Sequence, residues 1–210
     1  MNSDKFCSQA SVEDQPIPAV SAAEQPFPSA PGSKEGVPAA RRFSSKSSSI
    51  TVRELAELAV ITALLIGLKE AMNALPNIHP VMLLLILSVR RYGRRALYPA
   101  LGFSLVECLL YGFGMWSVSY LYIWPLSVLL ALPFRRNDSP LFWACFAGVF
   151  GLCFGALSAL TTLFLFGWHS AVAYWVSGIP FDLIHCASNF ILVLVLLNPL
   201  TRVLNQIRKK

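Results

Sequence analysis

From residue 51 onward the apolar positions fall into runs, roughly 55–75, 80–89, 96–115, 119–134, 141–167 and 171–197, separated by short polar connections. A helix needs about 20 residues, at ~1.5 Å each, to cross the hydrocarbon of a bilayer. Runs one, three, five and six meet that length; run four is shorter and contains Trp124-Pro125. The connections are not equivalent. Arg53, the cluster Arg90, Arg91, Arg94 and Arg95, the pair Arg135–Arg136, and the group Arg202, Arg208, Lys209 and Lys210 lie before run one and after runs two, four and six. The connections after runs one, three and five carry neither Lys nor Arg. Because Lys and Arg gather in cytoplasmic loops, the pattern predicts an all-α membrane protein. It has six transmembrane helices and cytoplasmic N and C termini, and is multi-pass in the cell membrane.

Run two does not fit this scheme by length. Only Val81 to Val89 separate Pro80 from Arg90, which reaches about half-way across. The approach Pro76-Asn77-Ile78-His79-Pro80 is therefore expected to dip into the membrane or cap a cavity, since irregular backbone at that depth must be covered by protein or water. A tilted or locally thinned span is the alternative.

Residues 1–50 differ from the rest. They are rich in Pro, Ser, Ala and Glu, without periodicity, and read as a disordered cytoplasmic tail; residues 51–210 form the membrane domain. The tail's positive and negative residues balance, so the formal charge of +6 arises in the membrane part. It reads as a topology signal beside anionic headgroups, with no nucleic-acid partner. A chain that is 55% hydrophobic and only 13% charged is too apolar for a soluble domain of this size. Cys7, Cys108, Cys145, Cys153 and Cys186 form no CxxC pair and read as buried free thiols; neither a metal nor a cofactor is expected. The motifs of serine hydrolases, zinc proteases and P-loop ATPases are absent, so no enzymatic activity is expected and uphill transport would need an external energy source.

Helix one carries two chemically distinct faces. Ala59, Ala63, Gly67 and Ala71 recur every four residues, a ladder that admits another helix closely. Lys69 and Asn73 lie on a different face, with Thr62 one heptad earlier. Lys69 must find a partner, reach a wet cavity, or extend toward the outer headgroups beside Glu70. Glu107 falls near the midplane of helix three. On helix six, Asp182, His185 and Asn189 share a stripe; either Asp182 and His185 pair with each other, or the stripe presents hydrogen-bonding groups to a ligand. Gly178 and Pro180 are expected to break or bend the helix just above them. Aromatics collect toward the outer side: Tyr111, Trp116, Tyr120, Tyr122, Trp124, Trp168, Tyr174 and Trp175. An interface belt or a pocket for a flat heterocycle gives that bias.

Residues 53–205 resemble the substrate-binding S components of energy-coupling factor (ECF) vitamin transporters. The resemblance is carried by six short spans with both ends inside, the Ala59-xxx-Ala63 ladder, the Pro76-to-Pro80 turn and the Tyr92-Gly93-Arg94-Arg95 loop. The stretches Tyr122-Ile123-Trp124-Pro125 and Gly178-Ile179-Pro180-Phe181-Asp182-Leu183-Ile184-His185 add to it. The long tail departs from the usual short N-terminus of that family. The resemblance implies a non-catalytic subunit that captures a vitamin or related small metabolite near the outer face. It also implies docking through Ala59, Ala63 and Gly67 on a membrane T component coupled to two cytoplasmic ATPase subunits. The residues expected to line the substrate site are Lys69, Asn73, Asn77, His79, Glu107, Tyr122, Trp124, Asp182, His185 and Asn189. A membrane scaffold of the rod-shape-protein type, sharing the fold without transport, is the alternative. An intramembrane enzyme using Glu107, Asp182 and His185 ranks third.

Overall fold

Local signals in the sequence set the ends of the helices. Thr51 accepts the Glu54 N–H at 3.2 Å and opens α1 (Val52–Ala71), with Glu54 placed where the helix dipole favours a negative charge. Ser139 accepts the Phe142 N–H at 3.3 Å, and Pro140 starts α5 (Pro140–Leu152), where a missing N–H costs nothing. Between them lie α2 (Val81–Tyr92), α3 (Leu97–Tyr111) and α4 (Met115–Ala131), and α6 (Phe154–Lys209) completes the chain. Short 3-10 turns at Gly93–Ala96 and Leu132–Phe134 follow α2 and α4. The computed structural model describes residues 50–75 and 78–209; apart from Ile50, the predicted tail lies outside them, as does Asn77. Among the described residues there is no strand.

Although α6 runs from residue 154 to 209, it is not one rod. Gly167 has φ 81° and ψ 178°, a conformation open chiefly to glycine, and it divides a proximal arm (154–166) from a distal arm (168–209). Side-chain and backbone approaches pair Gly155 with Asp182, Gly151 with His185 and Gly148 with Cys186. Each pair is centred near residue 168, so α5 with the proximal arm packs antiparallel to the distal arm. This corrects the expected position of the break. Gly178 and Pro180 lie within continuous helix, and the interruptions fall at Cys153 and Gly167.

The same kind of pairing orders the rest. Ser104 Oγ donates to the Tyr120 carbonyl at 2.8 Å and Cys108 Sγ to the Ser117 carbonyl at 3.4 Å, so α3 and α4 form a hairpin about Gly112. Thr62 packs on Gly102 and Lys69 bonds Glu107, which makes α1 and α3 parallel. Glu57 bonds Arg91, so α2 runs against α1. Arg90 reaches Thr201 while His79 meets His185, so α2 runs along the distal arm. The passes alternate in direction. Arg53, Glu54, Glu57, Arg90, Arg91 and Arg95 gather at one end, joined by Arg135 and Arg136.

The core is built around the shortest α-helix. Val81, Met82, Leu83, Leu85, Ile86, Leu87, Ser88 and Val89 are all buried, so α2 is covered all round. Its 12 residues extend about 18 Å, as the short second run implied. The widest outer surfaces are apolar: Leu109, Phe113, Phe164, Leu165, Phe166 and Trp168 are among many large exposed side chains. Two helical stretches, Met115–Phe134 and Pro140–Gln206, are long and apolar enough to cross a membrane. Cys145 and Cys153 belong to this outer surface, which corrects the expectation that the thiols are all buried; among the described cysteines only Cys108 is fully so, and Cys7 lies outside the described residues.

Small residues act at two places. The ladder of Ala59, Ala63 and Gly67 is exposed, and a Cβ added at Gly67 would meet nothing within 4 Å. The close approach inside the bundle belongs instead to Gly148, Gly151 and Gly155. At Gly151 an added Cβ would lie 2.8 Å from the His185 carbonyl oxygen, and at Gly155 it would collide with Asp182 Oδ2. Three glycines thus let α5 and the start of α6 lie against the distal arm with backbone in contact.

Candidate functional site

Edge-to-face rings from four elements meet beside the start of α2. His79 precedes the Pro80 that opens α2 and is 9% exposed. Its ring lies 5.3 Å from that of His185 on the distal arm and 6.2 Å from that of Trp124 on α4. Phe154, first residue of the proximal arm, closes the group at 4.9 Å from His185 and 5.6 Å from Trp124. Tyr120, one turn before Trp124, and Phe103 on α3 extend it at 5.5 Å and 5.7 Å from Trp124. The 3.6-residue period puts Tyr120 and Trp124 on one face of α4.

What sets this cluster apart is its polar atoms. His79 Nδ1, Trp124 Nε1 and both nitrogens of His185 are buried and have no hydrogen-bond partner among the described residues. Glu107 Oε1, Asp182 Oδ2 and Thr162 Oγ1 share that condition. Buried polar groups are nearly always bonded, and each one left alone costs about 1–3 kcal/mol. At His79, Trp124 and His185, donors and acceptors therefore lie without an internal partner next to ring faces and edges. A small, flat ligand with nitrogen and oxygen on its rim has the groups to satisfy them.

A second constellation adjoins it through Trp116, whose ring lies 5.3 Å from Tyr120. Lys69 Nζ donates to Glu107 Oε2 at 2.7 Å and to Glu70 Oε1 at 2.8 Å. It also lies 4.5 Å from the Tyr111 ring centre and 5.8 Å from that of Trp116. The Tyr111 hydroxyl donates to Glu70 Oε2 at 2.5 Å and accepts from Asn73 Nδ2 at 3.2 Å. Lys69 is thus turned inward and paired, rather than extended toward headgroups. Glu107, fully buried, is held by it.

The stripe on helix six divides its duties. Asp182 and His185 do not bond each other. Asp182 Oδ1 accepts the Gly155 N–H at 2.9 Å, so the carboxylate caps the N-terminus of the proximal arm across the bundle, where a negative charge is favoured. Asn189 Nδ2 donates to the Ala147 carbonyl at 3.4 Å and belongs to the same helix seam. Only His185 of the three enters the ring cluster. Tyr122 is placed elsewhere: it sits about 200° around α4 from Tyr120, and its hydroxyl donates to the Leu157 carbonyl at 2.6 Å. Of the expected lining residues, His79, Trp124 and His185 come together, Lys69, Glu107 and Asn73 form the neighbouring group, and Asp182, Asn189 and Tyr122 hold the bundle.

Sequence reasoning placed Tyr120 among the outer aromatics but not in the site, and it missed Phe103 and Phe154. The i, i+4 spacing of Tyr120 and Trp124 was the available signal for the first. No signal marked Phe154, because the helix break that positions it is invisible in an unbroken apolar run. Among the described residues no group of three His, Cys, Asp or Glu side chains is arranged to hold a metal ion.

No protein-family model, curated protein or solved structure matches the chain.

Proposed function

We propose that this protein is a membrane-embedded substrate-capture subunit, of the kind found in ATP-driven ECF importers, and that its substrate is a vitamin or related small, partly planar metabolite. The observation that carries the proposal is the cluster of His79, Trp124 and His185: His79 Nδ1, Trp124 Nε1 and both His185 nitrogens are buried without a partner among the described residues, while the His79 ring meets the other two edge to face. The six-span reading with both ends cytoplasmic is supported by the alternating direction of the passes and by the convergence of the arginines at one end. The ionic side chains of α1 are paired: Arg53 with Glu57, Glu54 with Arg95, and Lys69 with Glu107. Pairing is what lets such a helix lie in a bilayer.

The test is to identify by mass spectrometry any small molecule carried through purification, then to titrate it calorimetrically into variants. His79→Ala and His185→Ala should each weaken binding by about tenfold or more, because losing one buried polar partner costs ~1–3 kcal/mol and ~1.4 kcal/mol is a factor of ten. Tyr122→Phe should leave affinity unchanged while lowering stability by about 1 kcal/mol, since its hydroxyl serves only the Leu157 carbonyl and Thr161. Undiminished affinity in both histidine variants would remove the ring cluster from the site. If no molecule co-purifies and no planar metabolite stabilises the protein, the capture reading fails.

The exposed ladder of Ala59, Ala63 and Gly67 supports docking on a membrane T component that is itself driven by two cytoplasmic ATPase subunits. Ala63→Leu is expected to abolish uptake in cells while ligand affinity of the purified subunit stays at the wild-type value. A leucine there holds a partner helix away without reaching the ring cluster. Parallel loss of binding and uptake would instead mean that the face is needed for the fold.

A further inference from the structure

At the end of the bundle opposite the ring cluster, a cavity of about 420 Å³ opens between the end of α2, the α4–α5 connection and the distal arm of α6. Its polar lining is Arg90, Arg91, Arg135 and Arg136 with Thr201 and Asn205, and Asp138 is the one carboxylate among its lining residues. Arg90 donates to Asp138 at 2.7 Å and to Thr201 at 3.3 Å, and Arg91 is held from behind by Glu57 at 2.8 Å. Arg135 and Arg136 are in no ion pair among the described residues. Bare backbone at Gly93 lets Arg135 lie across the end of α2: its Nη1 is 2.6 Å from where a Cβ would stand.

Four guanidiniums facing one space repel one another, and with Arg90 on Asp138 and Arg91 on Glu57 two of them are left without a carboxylate among the described residues. A bridging tetrahedral oxyanion relieves that repulsion, because each guanidinium fork matches two phosphate oxygens. Leu87 and Leu204 give the cavity an aliphatic side, and its lining contains no ring on which a nucleotide base would stack. We propose that this cavity is a phosphate-binding site, taking the headgroup of an anionic phospholipid or a small phosphate ester. The lipid source rests on the bundle lying in a bilayer; neither source depends on what is captured at the other end.

The experiment uses the full chain, delipidated in detergent. Native mass spectrometry measures retention of phosphatidylglycerol against phosphatidylcholine for the wild type and two double variants. Arg135→Gln/Arg136→Gln removes the unpaired guanidiniums of the cavity, whereas Arg94→Gln/Arg202→Gln removes two exposed charges outside its lining. Circular dichroism and melting curves establish that both variants fold. The cavity variant is expected to lose about tenfold or more of the phosphatidylglycerol preference while the control keeps it, each basic residue at a membrane surface contributing close to a fivefold factor. A melting temperature raised by inorganic phosphate in the wild type and the control variant, but not in the cavity variant, without any lipid preference, would assign the site to a free phosphate ester. Equal loss in both double variants reduces the effect to general surface charge and overturns the proposal. So does the absence of both a phosphatidylglycerol preference and phosphate stabilisation in the wild type.

Discussion

Lys69→Met is expected to lower the unfolding free energy by about 3–5 kcal/mol, the cost of leaving a buried charge without its partner. Glu107 is fully buried, and Lys69, with 12% of its side chain exposed, is the cation that holds it at 2.7 Å. Glu70 does not suffer in the same way, because it is 31% exposed and keeps the Tyr111 hydroxyl. The pair as a whole is a different matter from either member. Lys69→Met/Glu107→Leu removes both charges and should recover most of the loss, since well-packed apolar replacements of buried ion pairs are often neutral or stabilising. Denaturant titration in detergent, followed by circular dichroism, measures all three variants. Had Lys69 merely extended toward the outer headgroups, the single variant would unfold like the wild type.

Gly151→Leu is expected to be comparably severe, at about 3 kcal/mol or more, and to abolish ligand binding as well. The added Cβ would stand 2.8 Å from the carbonyl oxygen and 2.9 Å from the carbonyl carbon of His185, which are backbone atoms that no rotamer change can move. The distal arm must shift, and His185 shifts with it. Gly155→Ala presents a milder conflict. Its Cβ would meet the Asp182 side chain, which can swing away at the loss of the cap, for about 1–2 kcal/mol. Gly67→Ala meets nothing and should be neutral or stabilise by up to about 1 kcal/mol, alanine being the better helix former. Melting curves of the three variants should rank Gly151, Gly155 and Gly67 in that order of damage. Equal effects at Gly151 and Gly67 would contradict the seam between α5 and the distal arm.

These glycines also mark where the sequence was readable and where it was not. Hydrophobic runs and arginine clusters located the helices and their alternation, because both follow from local composition. The shortness of α2 was legible from Pro80 and Arg90, and the burial of His79 followed from it. Rotational phase was legible only within one helix: Ala59, Ala63 and Gly67 read as a docking face, and they are exposed. Which face of α4 turns inward depends on its neighbours, so Tyr122 was expected where Tyr120 stands. Asp182 found a backbone N–H freed by the break at Cys153, a partner that no side-chain pattern announces. Gly148, Gly151 and Gly155 lay in plain view at i, i+3, i+7, but a helix break at Cys153 falls among them and they gain meaning only against the distal arm.

The burial of α2 carries a consequence for biogenesis. Its 12 residues are too few to partition into a bilayer as an independent segment. Its polar start at His79 meets Trp124 of α4 and His185 of α6, and its end meets Thr201. The distal arm of α6 is synthesised well after α2, with α3, α4 and α5 between them. Until it arrives, the second helix has neither the length to stay in lipid alone nor the neighbours that enclose it. Enclosing α2 is therefore a collective step: the centre of the bundle is completed only after α4 and the distal arm of α6 have been made.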